Sequence, residues 1–143
     1  SVTSTTVFST TSSTLTDTGI SLAITPSSTS SKVLVVIDAS VGGNSSIPAI
    51  AILRNTTVIG SGSDAGSRRG AASSAGVGTD DIAPITVSSL DSPSTTSATT
   101  YKLALSSRGD VSRASYTNRT HEDVNAGYTV RPVTTITLME IGA

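Results

Sequence analysis

Short runs of apolar and polar residues recur along the chain, and most of them predict β-strands. Within residues 20–24, apolar side chains alternate with Ser and Ala, which predicts a strand with one buried face. Residues 32–41 and 47–54 instead contain continuous apolar stretches. Such stretches predict strands that are covered on both faces.

The same pattern predicts the remaining strands and the joints between them. Further strands are expected at residues 5–9, 58–60, 82–90, 101–106 and 134–141, with a short one near Tyr116. Residues 55–57 predict the tight turn of a hairpin. Residues 61–79 are rich in Gly, Ser and Ala and predict a long loop or a weak edge, and residues 107–130 predict mainly loop.

No segment sustains helical spacing, so we predict an all-β fold. About eight short strands with turn-rich connections are typical of an antiparallel β-sandwich, and a jelly roll is the favoured topology. The length of 143 residues suits a single domain, to which we assign residues 1–143. Residues 1–13 fit either a linker or an edge strand from an upstream stalk. Because the chain begins without Met, we expect a processed product or a fragment of something longer.

Composition supports a folded β-protein and excludes several classes of partner. Ser and Thr make up roughly a third of the chain, and charged residues only 13%. Disorder normally couples low hydrophobicity to high charge, and the charge is missing here. The net charge of −1 gives no basic surface for nucleic acid. Binding to nucleic acid is therefore not expected. No apolar run approaches the roughly 20 residues of a membrane helix, so insertion into a membrane is not expected either.

The two continuous apolar stretches also bear on assembly. In a β-sandwich, one face of each strand meets the core and the other meets water. A strand that is apolar on both faces needs a second cover, which a neighbouring subunit would supply. We therefore predict a homo-oligomer and, more specifically, a trimer.

Catalytic and metal chemistry have little support in the sequence. The single His, His121, stands next to Glu122 and Asp123, but adjacent side chains bind a hard cation weakly, and one His makes a zinc site improbable. Cys is absent, and no G-x-S-x-G motif accompanies the many serines. We expect a solvated loop here, with no enzyme activity, metal or cofactor. The tripeptide at residues 108–110 and the pair Asp80-Asp81 are each expected to mark a turn.

Recognition of a glycan or a cell surface fits the polar residues better. Such sites combine a few aromatic side chains with hydrogen-bonding Asn, Asp, Arg and His. The richest supply lies in residues 107–131, with a smaller cluster at Arg68 and Arg69. The candidates of the larger group are Arg113, Tyr116, Asn118, Arg119, His121, Glu122, Asp123, Asn125, Tyr128 and Arg131. The alternative is that Asn118, Arg119 and Arg131 fix turns or subunit contacts and that the tyrosines edge the core.

Four blocks of the sequence resemble a module at the C-terminal end of bacteriophage tail fibres and related virion-fibre proteins. The blocks are LTDTGISLAITPSSTSSKVLV, AILRNTTVIGSG, LDSPSTTSATTYKLAL and the terminal TITLMEIGA. Their order and spacing fit over roughly residues 14–143, although each block alone is only a strand-turn-strand phrase. Residues 61–79 and 107–130 look like the variable parts of such modules.

The resemblance implies a trimeric β-sandwich head on the virion exterior. Its partners would be itself, other virion proteins, and a host cell-surface glycan or envelope protein. The first alternative is a capsid-decoration or head-fibre protein of the same fold, without a host ligand. The second is a depolymerising tail spike, which would need paired carboxylates about 5–10 Å apart in a groove. The few carboxylates of this chain disfavour that second alternative.

Overall fold

A computed structural model describes residues 1–142, which form eleven β-strands and no helix. No helix that could cross a membrane occurs in this part of the chain. The strands are β1 (Val2–Ser4), β2 (Ser9–Thr10), β3 (Thr16–Ile24), β4 (Lys32–Gly43), β5 (Ala49–Arg54), β6 (Thr57–Ile59), β7 (Ser73–Ser74), β8 (Ile82–Asp91), β9 (Thr99–Ser106), β10 (Ser115–Thr117) and β11 (Thr134–Ile141). The all-β prediction is therefore confirmed.

The strands form two antiparallel sheets. In the first sheet, β4 pairs with β8 along one edge, and with β11 and then β10 along the other. The short strands β1 and β2 complete it, by pairing with β11 and β10. The second sheet has the order β3-β9-β5-β6, and β7 also pairs with β5. The architecture is β-sandwich-like, as the turn-rich pattern of short strands predicts.

Alternating side chains of both sheets form one core. The first sheet contributes Val35 and Ile37 of β4 together with Ile136 of β11, and all three are fully buried. The second sheet contributes Ile52 of β5 and Leu103 of β9, which are also fully buried. Fully burying a Val, Leu or Ile side chain stabilises a fold by about 1.5–3 kcal/mol. The small β-branched residues of this chain thus supply the core that its few aromatic residues cannot.

A partly buried charged group joins the two sheets at the end where β8 stops. Asp91 of β8 accepts two hydrogen bonds from Arg54 of β5, at 3.0 and 3.1 Å. Asp91 also accepts a 2.7 Å hydrogen bond from the hydroxyl of Tyr101 on β9. Burial and the neighbouring Asp91 carboxylate raise the pKa of Tyr101 above its ordinary value of 10.0. The hydroxyl is therefore held in its neutral, donating form.

The two strands with continuous apolar stretches differ in their burial. Residues Ala49–Leu53 of β5 are all buried within a single chain, so both faces of this strand are covered without a neighbouring subunit. In β4, Leu34 and Val36 remain half-exposed on the face that points away from the core. The inference of a second subunit from β5 is therefore wrong, whereas β4 keeps an incompletely covered outer face.

The strand predicted at residues 5–9 is also misplaced. Strands form instead at Val2–Ser4 and Ser9–Thr10, and residues 5–8 between them are not in a strand. Between them, Thr117 supplies hydrogen bonds from its backbone and its side chain, and its amide donates to the carbonyl of Phe8 at 3.0 Å. The hydroxyl of Thr117 donates to the carbonyl of Thr6 and accepts from the amide of Phe8. This segment is thus fixed by residues more than 100 positions away in the sequence.

Candidate functional site

The connections that carry the predicted site residues leave the same end of the two sheets. There β9 ends at Ser106, which is paired with the first residue of β5, Ala49. At the same end, Gly43 closes β4 and is paired with Ser115 of β10. We call this end the loop end. Residues 107–114 and 118–133 start from it, so most of the larger candidate group is attached to this end of the sheets.

Tyr116, Arg119 and His121 form a compact cluster at the loop end. The hydroxyl of Tyr116 and Nδ1 of His121 share a 2.8 Å hydrogen bond. The guanidinium of Arg119 lies 3.9 Å from the centre of the Tyr116 ring and donates to the carbonyl of His121 at 2.8 Å. Such a cation–π contact favours one fixed position of the arginine. Because Tyr116 is only 6% exposed, this ring packs within the protein rather than offering a stacking surface.

Asn118 is fully enclosed, with 1% of its surface exposed. Its amide nitrogen donates to the carbonyls of Ser4 and Thr6, at 3.0 and 2.9 Å. Its amide oxygen accepts a 2.8 Å hydrogen bond from the hydroxyl of Thr134. The hydrogen-bonding groups of Asn118 are therefore used by the first residues of the chain and by β11. This agrees with the alternative that Asn118 fixes the local structure rather than contacting a receptor.

The more exposed candidates lie in residues 122–131 and pair with one another. Tyr128 is 59% exposed and donates a 3.1 Å hydrogen bond to Glu122, which raises the pKa of the Tyr128 hydroxyl. Arg131 forms a two-point contact with Asp123 and lowers the pKa of that carboxyl. Asn125 lines a shallow cavity of about 320 Å³ beside this ion pair. These side chains are the part of the predicted group that a ligand could reach.

Arg113 lies apart from this exposed set. Its guanidinium donates to the carbonyl of Ser45 at 2.8 Å and forms an ion pair with Asp110 at 3.4 Å. The hydroxyl and the amide of Ser112 also hydrogen-bond to Asp110. The tripeptide at residues 108–110 thus leads into a turn at residues 110–113, in which the amide of Arg113 donates to the carbonyl of Asp110.

Arg68 and Arg69 border a separate groove at the loop end. The groove has a volume of about 660 Å³, and Arg108 is its third arginine. Its walls come from segments around residues 13–15, 58, 64–70 and 108–109. Two of its arginines stand together in the sequence, but only the folded chain brings Arg108 to them.

A buried set of hydroxyl groups supports the loop end and was also missed. The side-chain oxygen of Ser46 lies 2.7 Å from that of Ser107 and 2.8 Å from that of Ser115. Ser107 also donates to the carbonyl of Arg113 at 2.6 Å. All three serines are buried, so each hydroxyl must find a partner inside the protein. In a chain so rich in Ser, no local pattern marks these three.

The acidic and histidine side chains are not arranged as a metal site. Among residues 1–142, no three His, Cys, Asp or Glu side chains come together in a metal-binding group. Asp81 accepts a 3.1 Å hydrogen bond from the amide of Gly78 and so fixes a turn, as predicted for the pair Asp80-Asp81.

A scan against protein-family models found no match for the chain, and a search of curated proteins found no similar sequence.

Proposed function

We propose that the chain is a non-enzymatic virion module, namely the head domain of a phage tail fibre that attaches to a bacterial surface. The observation that carries the proposal is the resemblance of four sequence blocks, in order and spacing, to such modules. Three of those blocks span the connections β3–β4, β5–β6 and β8–β9, and the fourth is the closing strand β11. They belong to the scaffold, whereas the candidate receptor residues lie in the connections between them.

We further propose a jelly-roll topology for this head. The strand order supports it when the short strands β2, β7 and β10 are set aside. Of the eight strands that remain, the first pairs with the last, the second with the seventh, the third with the sixth, and the fourth with the fifth. Such nested pairing is what a long antiparallel ribbon gives when it winds into two sheets.

The outer face of the first sheet supports self-association into a trimer. Leu34 of β4 is paired with Leu90 of β8 on one side and with Met139 of β11 on the other. These three side chains form an apolar row, in which Leu90 is 54% and Met139 45% exposed. Contiguous apolar side chains on a sheet surface commonly mark a protein interface. In a homotrimer, each subunit would cover this row on another.

Three copies of the loop end in one head would provide three equivalent binding sites. Several heads on one particle would then give an avidity far above the affinity of a single site. The experiment is to add the labelled full chain to bacteria that support growth of the phage. Saturable binding that purified surface polysaccharide or envelope protein competes away is expected. A chain that stays folded and does not bind these cells would overturn the attachment function.

A capsid-decoration or head-fibre role remains the second candidate. The observation that favours it is that Tyr116, Asn118 and Asp123 use their polar groups within the chain. Fewer groups are then left for a receptor than the sequence suggests. In that role, the loops would contact other virion proteins, and the position of the chain in the particle separates the two candidates.

A further inference from the structure

The groove that Arg68, Arg69 and Arg108 border has a charge unlike that of the whole protein. The chain carries a net charge of −1, yet three of its nine basic side chains line this one groove. Asp64 is the only carboxylate that faces them among the residues described. A concave site lined by one sign of charge concentrates ligands of the opposite sign.

None of the three arginines forms an ion pair with a carboxylate within the described residues, although Arg108 lies close enough to Asp110 to help lower the pKa of that carboxyl. The ion pairs found in residues 1–142 involve Arg54, Lys102, Arg113 and Arg131, all outside this groove. Arg69 donates to two neutral groups instead, the hydroxyl of Ser106 at 2.7 Å and the carbonyl of Ile47 at 3.0 Å. Burial lowers the pKa of Arg69, a sign that its charge is partly removed from water.

The segment that presents Arg68 and Arg69 is held in one conformation. The amide of Ala65 donates to the carbonyl of Arg68 at 2.9 Å, and the amide of Arg68 donates back at 3.2 Å. The Asp64 carboxylate accepts from the amide of Gly70 at 2.5 Å. A side chain on Gly70 would place its Cβ 2.2 Å from the carbonyl oxygen of Gly62, so only glycine fits there. The two arginines are thus positioned before any ligand arrives, which lowers the entropic cost of binding.

The remaining walls of the groove suit a sugar. Leu15 and Val58 supply apolar surface for the C–H groups of a pyranose ring, and Ser13, Thr14 and Ser67 are well suited to hydrogen-bond ring hydroxyls. No aromatic side chain lines this groove in the described structure, so a nucleobase would find no ring to stack on. The volume of about 660 Å³ lies in the range of small-ligand pockets.

We propose that this groove binds an acidic saccharide, a sugar unit bearing a carboxylate or a phosphate, with Arg68, Arg69 and Arg108 around the anionic group. As a receptor contact, the site rests on the attachment function proposed above. Anion binding by the groove does not depend on that function, because it is inferred from the charge and geometry of the groove alone. The carboxylate and phosphate forms share the chemistry that the three guanidinium groups recognise.

The test is a titration of the full chain with glucuronic acid, glucose 6-phosphate, inorganic phosphate and neutral glucose, followed by the amide NMR signals of residues 62–71. We expect saturable shifts with at least one acidic sugar, and affinity for glucose at least about tenfold weaker. The acidic sugar that binds more tightly identifies the carboxylate or the phosphate as the preferred group. Equal affinity for inorganic phosphate would overturn the saccharide part, and no saturable shift with any anion would overturn the whole proposal.

Two variants locate the binding. The double variant R68A/R108A should weaken binding of the acidic sugar by at least about tenfold, because two charge-assisted contacts are lost. K32A removes a positive charge at an exposed position outside the groove and should leave the affinity unchanged. An equal effect of both changes would contradict the assignment. If the groove binds an acidic sugar but the chain does not attach to host cells, only the attachment function is contradicted. If the chain attaches but the groove binds no anion, only the present proposal is contradicted.

Discussion

Asn118 connects segments that lie far apart in the sequence. Its buried amide bonds to Ser4, Thr6 and Thr134, and its own backbone adopts a positive φ of 56°. Asn tolerates that left-handed conformation better than most residues do. The sequence suggested a receptor contact, but the residue stabilises the attachment of the first strands to β11.

The substitution Asn118→Ala is expected to lower the free energy of unfolding by about 3 kcal/mol, because it leaves buried carbonyl and hydroxyl groups without partners. Urea denaturation measures this. Asn118→Gly fits the backbone conformation but lacks the amide, so a similar loss is expected and would assign the effect to the side chain. Asn125→Ala is the matched change at an exposed asparagine and should cost less than about 0.5 kcal/mol. Equal losses for Asn118 and Asn125 would contradict this role.

Tyr101 makes the stability depend on pH on the alkaline side. Its pKa is raised in the folded protein, so its contribution is complete below the ordinary value of 10.0 and is lost as the pH rises above it. Tyr101→Phe is expected to lower stability at neutral pH, because Asp91 loses a hydrogen bond. Above about pH 10 the difference between the two proteins should shrink. A difference that stays constant up to pH 12, measured by chemical denaturation, would contradict a buried neutral hydroxyl.

At the scale of the elements, strand β4 and residues 118–133 are held in close contact. A Cβ atom on Gly42 would lie 2.2 Å from the carbonyl oxygen of Arg119, which is far too close. Gly42→Ala should therefore displace the segment that carries Tyr116, Arg119 and His121. We expect a loss of about 1–3 kcal/mol and shifted amide signals for residues 118–122.

Gly76 provides the control for this change. A Cβ atom there meets nothing within 4 Å, so Gly76→Ala should be neutral or slightly stabilising. If both glycine variants behave alike, the close approach of Arg119 to β4 does not constrain the loop end. Hydrogen exchange of the residue 118–122 amides offers a second measurement of the same contact.

The strands that the sequence predicts correctly are those whose position follows from their own alternation of apolar and polar residues or from flanking turn residues. Strands β3, β8, β9 and β11 alternate or end at clear turns, and each lies within a few residues of its predicted position. Residues 90–105, with their run of Ser and Thr, look like a linker but form the end of β8, a connection and most of β9. Alternation at Tyr101–Leu105 is the signal that identifies the second strand.

The parts that were missed depend on distant residues. The path of residues 5–9 is set by Thr117 and Asn118, and nothing in the local sequence indicates either partner. The arginine groove needs four separated segments, of which the sequence indicates only the one that carries Arg68 and Arg69. The predicted receptor group remains a prediction, and its buried members could be recognised only from their hydrogen bonds.

At the scale of the whole molecule, the apolar row of Leu34, Leu90 and Met139 carries the prediction of self-association. Light scattering of the wild-type chain should give about three times the monomer mass of 14.3 kDa. Leu90→Glu places a charge in the row and should shift the mass towards 14.3 kDa, because burying an unpaired carboxylate is costly. Val111, at 89% exposure in a connection, gives the matched change Val111→Glu, which should leave the mass unaltered.

A wild-type chain that is a monomer over the concentration range would contradict the trimer. A trimer that Leu90→Glu leaves intact would instead place the interface elsewhere on the surface. Whether or not the chain forms a trimer, we expect the single subunit to be folded, because its hydrophobic core is formed within one chain. Circular dichroism of each variant checks that assembly, and not folding, has changed.

The position of the chain in an assembled particle tests the central claim most directly. Phage particles from a culture that expresses this chain can be labelled with a gold-conjugated antibody against it and imaged by electron microscopy. An attachment head predicts gold at the distal ends of the tail fibres. Gold confined to the capsid, or particles without gold, would contradict the attachment function.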